Sequence, residues 1–389
     1  MSNFKRMNFK PNPAYEKAGV ASYASLLKKY GFAPATAGPY QQIEQTTLSF
    51  RNAFKPKNKR ETKPVLRKVE KDGKPGEVKA EDQQNDALYI YPLWSTELDS
   101  KTRKARGEHN LFNVKKSDHF KKMSGSSWKI KYGDGSTASG IVGTDNVDLG
   151  GLCVENQAIE LTSKLSSQFM KSAGDGLLGL AFGKINTVKP KGVATPVENM
   201  LHDIQEDQEL FTRYLGSWGD EDEEAKGESF YTFGYIDQEV LDRCGVSEPH
   251  WVGIDTTRGF WQFASPFASI NGKIIERGPN TAIADTGTTL ALGWVFSIGT
   301  PVDKLRKVTL ALGDKQFEVQ KEDLGFAKVG KGMQYGGIQS RGDSKFDILG
   351  DTSLKAVYAN FDQGQKRFSC VQRTEENQNT VAAPTGKKK

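Results

Sequence analysis

Asp285 is the residue of this chain best placed to do chemistry. The run Thr281-Ala282-Ile283-Ala284 delivers it from an apolar strand onto a turn reading Asp285-Thr286-Gly287-Thr288-Thr289. Thr286 and Gly287 leave room for another backbone to come close, and the flanking threonines can hydrogen-bond a carboxylate and hold its orientation. A carboxylate on a tight turn, rather than in a solvated loop, is a candidate catalytic group, and its chemistry would be proton transfer. A second stretch, Tyr132-Gly133-Asp134-Gly135-Ser136, is an Asp-Gly turn between the strand-like runs Trp128-Lys129-Ile130-Lys131-Tyr132 and Gly140-Ile141-Val142-Gly143, which predicts a β-hairpin. Taken alone, each stretch is an ordinary turn. Their meaning rests on the elements that must position them.

Those elements are mostly strands. Residues 13–31 read as a helix with Pro13 in the first turn, an apolar stripe of Tyr23, Leu26, Leu27 and Tyr30, lysines at 28 and 29 in the last turn, and Gly31 as the stop. Residues 51–79 are basic and poor in large apolar side chains, with Pro56, Pro64 and Pro75, as in a linker or exposed leader. A globular pattern begins near Leu88. Thr195, Pro196 and Glu198 spell a capped helix start, and a charged surface loop is expected over residues 219–227. Strands are expected at residues 230–234, 260–263, 268–273 and 308–312. Asp175-Gly176-Leu177-Leu178-Gly179-Leu180 resembles Phe346-Asp347-Ile348-Leu349-Gly350-Asp351, each a buried apolar pair closed by a glycine, which suggests a duplicated β-lobe.

Composition bounds the reading. A chain of 389 residues with 40 glycines accommodates two turn-rich domains. Residues 1–80 hold 17 Lys+Arg against 6 Asp+Glu, a net of +11, whereas the remaining 309 residues carry a net of −5. With no nucleic-acid-binding motif in the body, that asymmetry favours a leader that docks on its own protein. The cysteines at 153, 244 and 370 are too widely spaced for a zinc knuckle and allow at most one disulfide; the four histidines lack metal-ligand spacing. No metal or cofactor is expected. No run of 18 apolar residues exists, the first residues lack the apolar region of a secretory signal, and Arg341-Gly342-Asp343 reads as a chance turn.

Five ordered motifs together resemble the pepsin family of aspartic endopeptidases, most closely its secreted fungal branch: Tyr132-Gly133-Asp134-Gly135-Ser136, Asp175 to Leu180, Phe233-Gly234-Tyr235-Ile236-Asp237, Ala284 to Thr289, and Ile348-Leu349-Gly350-Asp351. The resemblance runs from about Gly76 to Arg373. It implies an all-β, bilobal fold with a helical, basic prosegment: a leader over 1–80, a first lobe with a flap over 81–236, a second lobe over 237–373 and a polar tail over 374–389. It also implies peptide or protein substrates in the cleft between lobes, a monomer that binds neither nucleic acid nor membrane, and an extracellular location, with a vacuole as the alternative. In that family two aspartates about 3 Å apart share one proton, so one takes a proton from water while the other polarises the scissile carbonyl. By resemblance Asp285 is one of the pair, Thr288 supports its carboxylate beside Gly287, and Tyr132, Gly133 and Asp134 form the flap that orders substrate.

The departure from the family pattern is as informative. A first Asp-Thr-Gly belongs ahead of Leu93-Trp94-Ser95-Thr96-Glu97-Leu98, but the chain passes straight from Asp86-Ala87-Leu88-Tyr89-Ile90-Tyr91-Pro92 into that segment. Neither Asp-Thr-Gly nor Asp-Ser-Gly occurs in the first half, and Ala87-Leu88 supply neither the small turn nor the hydroxyls that hold a catalytic carboxylate. The second lobe is also shortened after Leu290. Three expectations follow: an acid endopeptidase zymogen made feeble or inactive by a missing aspartate, a non-catalytic peptide-binding relative, or a fragment that folds poorly. The leader is expected to leave, or to be cut between Lys59 and Lys79, at low pH.

Overall fold

The computed structural model describes residues 7–9, 19–33, 41–43, 65–67, 91–92, 95–104, 110–131, 137–149, 152–167, 176–200, 208–216, 229–293, 300–301, 306–330 and 333–373. Strands dominate them, and the helices are few and short. The all-β class expected from the motifs is the class observed.

In the first half, Lys121–Lys131 and Thr137–Leu149 form the long antiparallel hairpin that the Asp-Gly turn predicts, in register Lys131 with Thr137. Side chains alternate across the first of these strands: Trp128 is buried while Lys129 and Lys131 face solvent. Leu152–Leu165 and Val188–Lys189 complete a four-stranded sheet, and the Trp128 indole N–H donates to the Leu161 carbonyl at 3.2 Å within its core.

In the second half, a five-stranded sheet carries Gln262–Ala264, Thr281–Ala284, Phe346–Leu349, Ala291–Gly293 and Ile338–Ser340 in that order. Thr281–Ala284 runs parallel to Phe346–Leu349 and antiparallel to Gln262–Ala264. A strand enclosed on both sides reads as a continuous apolar run, and Ala282, Ile283 and Ala284 are all buried. A four-stranded sheet with Val308–Leu312 at its centre flanks it.

The two halves meet in a six-stranded antiparallel sheet. Its order is Met7–Phe9, Ser229–Phe233, Leu210–Tyr214, Val357–Asp362, Arg367–Gln372 and His250–Gly253. Phe211 from the first half stacks on Phe361 from the second at 4.5 Å between ring centroids, and Trp261 donates its indole N–H to the Leu180 carbonyl at 2.9 Å. Cys370 lies buried in this sheet and joins no disulfide.

The helix read over residues 13–31 is described as Gly19–Tyr30; its expected start at Pro13 lies outside the described residues. Its end is as predicted. Gly31 takes φ +67°, and the Phe32 N–H reaches the Leu27 carbonyl at 3.2 Å, the closing bond of a Schellman cap with Phe32 and Leu27 as its apolar pair. In the basic stretch 51–79, Val65–Arg67 pairs with Gln41–Ile43. Helix Pro196–Met200 starts on the expected capping box: Thr195 Oγ1 accepts from the Glu198 N–H, and Glu198 Oε2 accepts from the Thr195 N–H at 2.9 Å. The flap tip at 132–136, the charged loop at 219–227 and the tail at 374–389 lie outside the described residues.

Candidate active site

Asp285 leaves the end of Thr281–Ala284, and its N–H donates to the Leu349 carbonyl at 3.0 Å, the last rung of the parallel pairing. A buried ionic knot fixes that pairing at its other end. Asp347, on the partner strand, accepts from Arg277, from Arg341 Nη1 at 2.8 Å and from Asn280 Nδ2 at 3.0 Å. The register that delivers Asp285 to its turn is therefore held by charge-assisted bonds at the strand's base.

The turn folds back on the carboxylate. Gly287 donates its N–H to Asp285 Oδ1 at 3.0 Å, and the Thr288 hydroxyl donates to Oδ2. The outer side of the turn is fastened by Asp351, whose N–H reaches the Thr288 carbonyl at 2.8 Å, and by Thr352, whose N–H reaches the Thr289 carbonyl at 3.0 Å. Gly350 is what permits this closeness: a Cβ there would sit 2.3 Å from the Leu290 carbonyl oxygen and 2.4 Å from that of Thr288.

Two further groups reach Asp285, both from the helix Gly19–Tyr30. Lys29 Nζ lies 2.7 Å from Oδ2, 3.0 Å from the Gly287 carbonyl and 2.8 Å from Thr288 Oγ1. The Tyr30 hydroxyl also donates to Oδ2. Burial alone would raise the Asp285 pKa. The Lys29 ammonium opposes it, and with the hydrogen bonds from Lys29, Thr288 and Tyr30 it holds the carboxyl at about 2, so Asp285 stays ionised.

Of the residues singled out in the sequence, Asp285, Gly287 and Thr288 are brought together, whereas Tyr132, Gly133 and Asp134 lie outside the described residues. Lys29 and Tyr30 were not foreseen individually. Lys29 read as a helix-end cation, and its partner stands 256 positions away. Among the described residues, no second carboxylate hydrogen-bonds Asp285.

The first half offers a telling comparison. Tyr91–Pro92 pairs with Gly176–Leu177, at the start of the Leu177-Leu178-Gly179 run that corresponds to Ile348-Leu349-Gly350. Gly179, which closes that motif, is exposed, and a Cβ added there would meet nothing within 4 Å among the described residues. In the second half a turn packs tightly over the equivalent glycine. Over Gly179 no described turn packs.

An aspartate on such a turn, in one of two β-rich halves joined by a shared sheet, also has a counterpart in known proteins. The family profile of eukaryotic aspartyl proteases matches residues 92–299 and 294–372. The chain belongs to this family. Its relatives include an aspergillopepsin A-like aspartic endopeptidase of Aspergillus fumigatus, 31% identical over 88% of this chain and 87% of the relative. Aspergillopepsin-1 of Aspergillus flavus is 34% identical over 67% of this chain and 66% of its own length. Rhizopuspepsin-1 of Rhizopus niveus is 36% identical over 66% of each. The chain is therefore a pepsin-type aspartyl protease by family, of the hydrolase class.

Proposed function

We propose that this chain is a leader-closed aspartic endopeptidase in which Asp285 stands as one half of a catalytic pair whose other half is missing. The observation that carries the reading is the set of groups on Asp285: Lys29, Tyr30, Gly287 and Thr288, with no carboxylate among them. Peptide hydrolysis by this family's chemistry needs one carboxylate to take a proton from water and a second, protonated, to polarise the carbonyl. A single ionised aspartate performs the first role only. Removing one member of a group that acts as a unit abolishes most of the rate, so hydrolysis by this chain is at most feeble.

The remaining assignments follow the family. Peptides and proteins occupy the cleft between a first lobe over 81–236 and a second lobe over 237–373, with residues 1–80 as the closing leader and Tyr132, Gly133 and Asp134 on the flap above the substrate. Among the described residues no helix is long and apolar enough to cross a membrane; an extracellular, monomeric protein is the proposed setting. That no described residue lies within 4 Å of a Cβ at Gly179 favours one alternative, a peptide-binding protein that keeps the cleft and has lost the chemistry. An assay on a denatured protein at acid pH, with and without pepstatin, decides. Negligible turnover is expected; pepstatin-sensitive turnover comparable to that of the fungal relatives would sink the proposal.

A further inference from the structure

The leader is attached to the second lobe by much more than the ion pair at Asp285. Tyr23, Leu26, Leu27 and Phe32 are each no more than 8% exposed. They share one apolar cluster with Ile283, Leu290, Leu292, Phe326, Tyr335 and Ile348, which are strand and turn residues of the second lobe. The helix packs so closely that a Cβ on Gly19 would fall 2.3 Å from the Tyr335 ring. This face of the helix completes the core on which Thr281–Ala284 and Phe346–Leu349 rest.

A polar anchor stands at residues 340–343. The Tyr23 hydroxyl donates to the Ser340 carbonyl at 2.8 Å, a buried bond. The Ala33 N–H, just past the helix end, donates to Asp343 Oδ1 at 3.2 Å. Gly342 has φ +58°, and a Cβ on it would come within 1.8 Å of the Ala33 carbonyl oxygen. Only glycine combines that backbone conformation with that contact. Arg341 fastens the turn to the lobe through Asp347 and Asn280. The Arg341-Gly342-Asp343 tripeptide, read in the sequence as a chance turn, is the seat of the helix end.

We propose that helix Gly19–Tyr30 is a lasting part of the second lobe, retained non-covalently in acid after the chain is cut behind it, and that residues 340–343 with the apolar face hold it independently of Asp285. The proposal rests on the reading that the leader closes the site. Among the described residues, the charged and titratable groups facing the helix are few. They are Asp285 from the catalytic turn, Asp343 and Arg341 from the anchor turn, Asp347 and Arg277 beneath it, and Arg258 over the Phe346 ring, with Lys29 and Tyr30 on the helix itself. Of the carboxylates, Asp343 is exposed and makes a single bond to the Ala33 N–H. Apolar burial and the Tyr23 bond do not titrate in acid. Attachment by the Lys29–Asp285 pair alone would yield only as pH falls through about 2, so Lys29→Ala is the arm that separates the two.

The test uses the full chain with a specific protease site placed between Lys59 and Lys79. After cleavage, gel filtration at about pH 7 and about pH 3, with mass spectrometry of each fraction, follows the leader fragment. The fragment is expected to co-elute with the body at both pH values, in the native sequence and in Lys29→Ala alike. Gly342→Ala and Leu27→Asp are expected to weaken its retention about tenfold or more. Tyr23→Phe, which removes one hydroxyl and leaves the packing, separates loss of the anchor from misfolding. A fragment that leaves the native body at about pH 3, or that Lys29→Ala releases as readily as Gly342→Ala, overturns the proposal. Release without hydrolysis refutes retention alone; release followed by strong pepstatin-sensitive hydrolysis refutes the single-aspartate reading as well.

Discussion

Arg213 and Asp351 form a buried ion pair, Nη2 to Oδ1 at 2.6 Å, that links the six-stranded sheet to the turn carrying Asp285. Arg213 comes from Leu210–Tyr214, and the N–H of Asp351 holds the Thr288 carbonyl. The guanidinium side chain is 1% exposed, so removing it takes this cation away from a buried carboxylate. Arg213→Met is therefore expected to cost roughly 3–5 kcal/mol, read as a fall in the denaturant midpoint. Replacing both partners, as in Arg213→Met with Asp351→Leu, should recover most of that loss. A double variant as unstable as the single one would show that the packing around the pair, not the broken ion pair, sets the cost.

Lys29→Ala isolates the ionic part of the leader contact. Burial would then act on Asp285 without the ammonium, and its pKa should rise from about 2 by about one unit or more. The sign is fixed by the depressed value. The Lys29 contact contributes stability above the ordinary carboxyl value of 3.8 and loses it as pH falls through about 2. The stabilisation is on the order of 2 kcal/mol near neutrality. Carbon-13 NMR titration of the Asp285 carboxyl in both proteins measures the shift; an unchanged titration would remove Lys29 as its cause.

The two motif glycines should respond in opposite ways to the same added methyl. Gly350→Ala drives a carbon into the carbonyls of Thr288 and Leu290, and should destabilise by about 1–3 kcal/mol while disturbing the turn that carries Asp285. Gly179→Ala meets nothing within 4 Å among the described residues and should be neutral within about 0.5 kcal/mol. Thermal melts of both variants suffice. An equal penalty at Gly179 would mean that a turn packs over it after all.

Thr195→Ala removes the hydroxyl half of the capping box and should cost about 1 kcal/mol. The Glu198 carboxylate, which also accepts from the Gly183 N–H at 2.9 Å, would be left to hold that corner, so Glu198→Ala is expected to cost more than Thr195→Ala. Equilibrium unfolding of the two variants ranks them.

What the sequence made legible is what local patterns govern. The Asp285 turn, the Gly31 helix stop, the Thr195 capping box and the strand at residues 308–312 all depend on neighbours a few positions away, and all stand where expected. What stayed hidden depends on contacts across the chain. Nothing near Lys29 announces a carboxylate 256 positions on. Arg213 interrupts the buried strand Leu210–Tyr214 for the sake of a partner 138 positions away. The Arg341-Gly342-Asp343 turn looks incidental until Ala33 is seated on it. Long-range pairing selects among locally acceptable structures, and a single sequence does not carry that selection on its face.

The six-stranded sheet sets a schedule for folding. One edge is Met7–Phe9 and the other is His250–Gly253, yet the strands between them include Val357–Asp362 and Arg367–Gln372, which are synthesised after the other four. Leu210–Tyr214 and Ser229–Phe233 can pair with each other as they emerge, but the outer side of Leu210–Tyr214 has no partner until Val357–Asp362 arrives. Until then the growing chain presents an apolar strand edge, the kind of surface on which nascent chains pair with one another. Yield in a cell should therefore follow the supply of chaperones and the rate of translation more closely than the stability of the finished fold, and a chain ending before residue 357 should accumulate as aggregate rather than as a smaller protein.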